Sequence, residues 1–220
     1  METILSFTIS IVTLLIGIIG HEVMHGVAAL AFRDPTPRLA GRITLNPLSH
    51  IDTVGSILIP GGLWLLQKLA GVSHPILFGW AKPVPVNIAT ILQNGGYWGG
   101  LVVSSAGILY NFGVAILSIL LLLQTDPHSL WAFFLIQLAL VNLVLFYFNL
   151  LPIPPIDGGR ILGYLFRLLG LYRWAQKLDQ LERYGIAIIM LIILLPPVSQ
   201  LLGEVVTGTF YWLLRLFYYL

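Results

Sequence analysis

The sequence predicts an all-α polytopic membrane protein of about five to six transmembrane helices, with a short re-entrant, β-like segment near residues 39–52. Three observations carry this expectation. Of 220 residues, 58% are hydrophobic and only 9% charged, and mean hydropathy is +0.93, whereas a soluble domain carries about 25% charged residues. Several apolar stretches reach the roughly 20 residues of helix that a hydrocarbon core requires. The polar stretches between them are short, so one membrane-embedded domain over residues 1–220 is expected.

The first span is expected over about 4–32, ending where "RDPTPR" brings charge and two prolines. Eleven Ile, Leu, Val or Phe residues between positions 4 and 19 favour insertion by roughly 5 kcal/mol together. The N-terminus has no basic n-region and no small-residue cleavage site, so it reads as a retained span. In "LAGRITLNPLSHID", Arg42, Thr44 and Asn46 alternate with Ile43 and Leu45, a β-like pattern too polar to face lipid, which suits a segment tucked between helices. "VGSILIPGGLWLLQ" is interrupted by Pro60, Gly61 and Gly62 and reads as a bent or re-entrant piece. "FGWAKPVPVN", residues 78–87, has prolines at alternate positions, which suits extended backbone and excludes a helix interior.

Two clear spans follow at about 96–123 and 130–151, joined by "QTDPHS". Gly99, Gly100, Ser104, Ser105, Ala106 and Gly107 give the first of these a small-residue face that permits close helix approach. "NLLPIPPIDGGRIL" then breaks the apolar pattern. A shorter helix is expected from Asp157, a basic amphipathic connector over about 167–183, and a last span over about 184–195. The C-terminal "FYWLLRLFYYL" reads as interfacial, because Tyr and Trp favour the headgroup level.

Net charge is only +2 and the basic residues are scattered, so nucleic-acid binding has no support. Cysteine is absent, which leaves His, Asp and Glu as the only strong metal ligands. Arg33, Arg38 and Arg42 follow the first span and Arg167, Arg173, Lys177 and Arg183 precede the last. Both loops therefore prefer the cytoplasm, with the N-terminus outside and Lys68 and Lys82 cutting weakly against a simple alternation.

Inside the first span stands His21-Glu22-Val23-Met24-His25, an H-E-x-x-H pattern. A charged group near the centre of a span costs about 2.5–3.5 kcal/mol and marks function when it is kept. Positions four apart share one helix face, so both imidazoles can reach one metal ion while Glu22 sits beside it as a general base. With five His and four Glu in the chain, the pattern arises by chance roughly 0.002 times. The alternative is a pair of buried histidines hydrogen-bonded to other helices, with Glu22 protonated. A hydrolytic zinc site needs a third protein ligand and one open position. Asp157 answers that need: it follows Pro152, Pro154 and Pro155, and Gly158 and Gly159 allow close packing beside it. Its other reading is an N-cap for the helix that starts there.

"GHEVMH" with "NLLPIPPIDGG" far downstream resembles the site-2 protease family of intramembrane zinc metalloproteases, and "GRITLNPLSHID", "GWAKPVPVN" and "AGILYNF" extend the likeness over most of residues 15–165. Ile156 stands where the family more often has Leu, and no PDZ-like or CBS-like insert is present, as in the short form. The resemblance implies a single metalloprotease domain holding one Zn2+ ion on His21, His25 and Asp157, with Glu22 as catalytic base. It also implies that Asn149 contacts substrate backbone or the developing oxyanion. A helix-capping or interhelical bond is the other reading of Asn149. Asn111 and Asn142 read as interhelical contacts. His50 reads as a loop histidine bonded to backbone or as a support of the site, and His74 and His128 as water-facing loop residues.

The expected activity is hydrolysis of a peptide bond within or next to a transmembrane segment of a membrane-protein substrate that another protease cuts first. The setting is the lipid bilayer of a prokaryotic cell membrane, with the site towards the cytoplasm. The alternating "RITLN" offers an edge to which an unwound substrate could add as a strand. A metal transporter would spread ionisable residues over several spans, a di-iron oxygenase would need more histidines, and a proteolytically silent scaffold has no need of Glu22.

Overall fold

The computed structural model describes residues 2–69 and 79–219, and within these every regular element is helical. His74 and Phe78, singled out in the sequence, lie outside the described residues. The first helix, α1 (Glu2–Ala31), matches the expected first span and runs 30 residues. Arg33 turns the chain at φ 60 into the single turn α2 (Thr36–Leu39). Asp34 is fully buried there, its carboxylate accepting from the Thr36 N–H at 3.0 Å and the Asn87 N–H at 2.6 Å.

The β-like expectation for residues 39–52 is corrected: no strand forms. Residues 42–46 are irregular and lead into a 3-10 turn over Pro47–His50, whose N-cap Asn46 accepts from Leu48 N–H. The alternation of polar and apolar residues was real, but a strand needs a partner ladder, and the neighbouring chain meets this stretch only through isolated bonds. A π-helical turn over Thr53–Leu58 then runs into α3 (Ile59–Leu69). Pro60 is the second residue of α3, at the junction where the π-helical turn passes into the α-helix, so it marks that change without ending the helix. At 11 residues α3 is about 16 Å long and does not span.

After residues 79–87 comes α4 (Ile88–Leu122), capped by the Asn87 side chain on Thr90 N–H. It begins eight residues earlier than the sequence reading placed it and breaks at Gly96, whose φ of 57 needs glycine. Ser129 caps α5 (Leu130–Asn149) through Ala132 N–H. Three described helices are long and apolar enough to cross a membrane, namely most of α1, all of α4, and α5 with the residue after it.

The remainder is α6 (Asp157–Leu168), α7 (Tyr172–Leu181), α8 (Gly185–Leu194) and α9 (Pro196–Tyr218). The expected last span at 184–195 is a 10-residue helix, about 15 Å long and half of what a bilayer core requires. The C-terminal aromatics are not merely interfacial. Val206, Phe210 and Leu213 form one stripe of α9, buried against Ala115 and Ile119 of α4 and Ala139 and Leu143 of α5. Five to six spanning helices were expected, and the three long ones, flanked by these shorter pieces, are what the described residues supply. Their outward faces carry Phe7, Leu14, Leu109 and Leu117, each well exposed, as lipid-facing residues are.

Candidate metal centre

His21 and His25 stand one turn apart on α1, facing α4 and the start of α6. His21 Nδ1 lies 2.7 Å from Asn111 Oδ1, and His25 Nδ1 lies 2.7 Å from the Val103 carbonyl. Asn111 donates from its amide nitrogen to Gly17 O at 3.1 Å and to Asn142 Oδ1 at 2.9 Å, which fixes its oxygen towards His21. Each Nδ1 therefore carries a proton, and a neutral ring turns the lone pair of its Nε2 towards the other histidine and Asp157.

Those Nε2 atoms lie 3.0 Å apart, and Asp157 Oδ2 lies 3.0 Å from each. Three electron-pair donors aimed at one point in a buried setting repel one another unless a cation sits among them. Ligand atoms around a tetrahedral zinc with bonds of about 2.0–2.1 Å stand roughly 3.3 Å apart, close to this triangle. Among the described residues, His21, His25 and Asp157 are the group that could hold a metal ion. The residues fit the ion by donor type, tautomer and spacing.

The surroundings explain why the sequence is small here. A Cβ at Gly107 of α4 would stand 2.5 Å from His25 Nε2 and 2.6 Å from His21 Nε2, so only glycine leaves room beside the triangle. At the start of α6, Asp157 is the first helical residue rather than the N-cap, and no side chain caps this helix. The capping alternative for Asp157 therefore fails, because its carboxylate is directed to the imidazoles. Gly158 and Gly159 press against the backbone of residues 150–154, which sets Asp157 at its depth.

Glu22, the next residue of α1 after His21, lines the same cavity. Its Oε2 accepts from Val84 N–H at 2.8 Å. Val84 lies in the stretch 79–87, which four further contacts tie down: Trp80 N–H to Gly55 O at 3.1 Å, Ser56 Oγ to Trp80 O at 2.8 Å, Lys82 N–H to His50 O at 2.9 Å, and the buried Arg42 guanidinium to Lys82 O. The stretch is neither helix nor strand over 79–87, and it forms one wall of a cavity of about 370 Å³ that also takes in the triangle, Glu22, Asn149 and Tyr164.

Of the residues singled out in the sequence, His21, Glu22, His25, Asp157 and Asn149 all meet at this cavity. Asn149 also bonds Leu145 O from its amide nitrogen, within its own helix. His50 is apart from the triangle and bonds Thr44 O, and His128 is exposed. Asn111 does join helices as expected, yet it also holds His21, a role the sequence reading missed. The signal was present in Gly107 and Asn111, one turn apart on the α4 face that meets α1.

A family described as "Peptidase family M50" matches residues 125–194, which include Asn149 and Asp157. A Bacillus subtilis strain 168 protein named "Putative zinc metalloprotease YwhC" is 34% identical over 217 residues, 94% of this chain and 90% of its own length. The chain belongs to Peptidase family M50, the site-2 protease family. A second relative, "Putative zinc metalloprotease Rip2" of Mycolicibacterium smegmatis strain ATCC 700084 / mc(2)155, is 27% identical over 198 residues, 87% of this chain and 67% of that protein. No solved structure matches the chain. Membership of family M50 and three membrane-length helices together make it a multi-pass membrane protein and a metalloprotease.

Proposed function

We propose that this M50 zinc metalloprotease hydrolyses a peptide bond within or next to a transmembrane segment of a membrane-protein substrate, working as a single membrane-embedded domain over residues 1–220. The observation that carries the reading is the convergence of two bare imidazole nitrogens and one carboxylate at 3.0 Å in the wall of a cavity between membrane-length helices. His21, His25 and Asp157 would hold one Zn2+ ion, which when bound supplies Lewis acidity and brings a water's pKa to about 7.

Every other step belongs to the chain's own residues. Glu22 is the base that takes a proton from the attacking water and passes it to the leaving amine. The Val84 N–H, bonded to Oε2, fixes that carboxylate and leaves Oε1 for the water. Asn149 spends one amide hydrogen on Leu145 O and has a second for the substrate oxygen that gains charge. A helical substrate must unwind before its carbonyl can reach the cavity, and the wall at 79–87 is the backbone beside Glu22. Residues 42–46 form no strand by themselves, and addition of an unwound substrate to "RITLN" remains a proposal that proline substitutions in residues 42–46 test: cleavage falls while zinc content is kept, and normal cleavage defeats it.

The basic loops at 33–42 and 167–183 support a cavity that faces the cytoplasm; in this reading the membrane is that of a prokaryotic cell and another protease cuts the substrate first. Glu22→Gln protein, assayed in detergent on a transmembrane reporter, tests the assignment. It keeps its zinc and loses cleavage by about a hundredfold or more. Cleavage at the wild-type rate would overturn Glu22 as the base, whereas no cleavage by the zinc-loaded wild type would favour the silent scaffold or transporter reading of this fold.

A further inference from the structure

The cavity face of α6 presents three side chains in register: Asp157, Arg160 and Tyr164. Asp157 is engaged by both imidazoles, whereas Arg160 is exposed at the rim and forms no ion pair among the described residues. Its neighbour on the same helix, Arg167, is paired with Asp179. The other carboxylate of the cavity, Glu22, is held by Val84 N–H. Arg160 is thus the one Lys or Arg among the lining residues, and neither Asp157 nor Glu22 forms an ion pair with it. It also stands in the first turn of α6, where the helix dipole disfavours a cation. A local rule broken at the edge of a reaction cavity points to a ligand.

We propose that Arg160 is a specificity-determining residue that binds a carboxylate of the substrate, an Asp or Glu side chain a few residues from the scissile bond. This rests on the proteolytic reading above. Guanidinium and carboxylate match in a two-pronged geometry, and the apolar surroundings strengthen the pair relative to open water. The other use of such an arginine is to meet a lipid phosphate. That use does not require a place in the cavity beside the metal ligands.

The test is a reporter series in which a single Asp, or Asn as control, is moved through the four positions on each side of the cut. Wild-type enzyme favours Asp over Asn about tenfold in kcat/KM at one position, through KM. Arg160→Gln abolishes that preference and leaves the Asn reporters unchanged, and Arg160→Glu shifts it to a Lys-bearing reporter. Binding of the same labelled peptides to Glu22→Gln protein and to its Arg160→Gln double variant gives the same ratio without turnover. An equal effect of Arg160→Gln on every reporter, or no acid preference at any position in binding or cleavage, overturns the proposal. Absence of any cleavage by wild type strikes the proteolytic reading instead, and the binding ratio still decides the role of Arg160.

Discussion

At the scale of single residues, the centre depends on groups that touch no substrate. Asn111 holds the His21 proton on Nδ1 and is itself fixed by Gly17 and Asn142. Asn111→Ala should therefore weaken metal binding about 10- to 100-fold, read by competition with a chromogenic chelator. Unchanged affinity would mean that the tautomer is set elsewhere. His21, Glu22 and His25 were legible because helix geometry converts a spacing of four into a shared face. Asp157 was legible because three prolines and two glycines interrupt an apolar run just where it stands. Asn111 was only half legible: an asparagine in a span signals a polar contact, but sequence alone does not say that the contact is a histidine ring 90 residues away. The bond from Val84 to Glu22 was illegible, since a backbone N–H leaves no trace in residue identity.

At the scale of elements, the stretch 79–87 is the less obvious part of the machinery. Pro83 and Pro85 flank Val84, so Val84→Pro suits the backbone and removes the N–H on Glu22, with Val84→Ala as the control for loss of the buried side chain. We expect zinc content to be retained and kcat to fall about 10- to 100-fold, because a displaced base acts poorly. Full activity would show that the carboxylate needs no such anchor. Helix α9 makes a second prediction. Phe210 is 6% exposed in the stripe against α4 and α5, whereas Trp212 is 60% exposed. Phe210→Ala should lower the unfolding temperature in detergent, corresponding to about 3 kcal/mol or more, and Trp212→Ala should leave it nearly unchanged. Equal effects would contradict the packing. The long helices were predicted well because their apolar runs exceed any other demand on the sequence. The strand pattern at 39–52, the span length at 184–195 and the burial of Phe210 were not legible, because pairing, helix length and burial there are decided by partners far along the chain.

At the scale of the whole molecule, α4 returns beside α1, its start tied to the end of α1 through the Asp34 bond to Asn87, so the two run antiparallel. The proposed cytoplasmic position of the basic loops at 33–42 and 167–183 puts the turn at 124–129 outside. The chain has no cysteine, so single cysteines can be placed without background. A cysteine at position 128 should react in intact cells with an impermeant maleimide and one at position 38 should not, and the reverse pattern would invert the topology and the side of the site. The most direct test of the central claim is the zinc content of the purified protein in detergent, measured by elemental analysis for wild type and Asp157→Ala. Wild type should carry one equivalent per chain, and Asp157→Ala, deprived of the carboxylate that closes the triangle, should lose most of it on dialysis against a mild chelator. A full equivalent retained by Asp157→Ala would contradict the account.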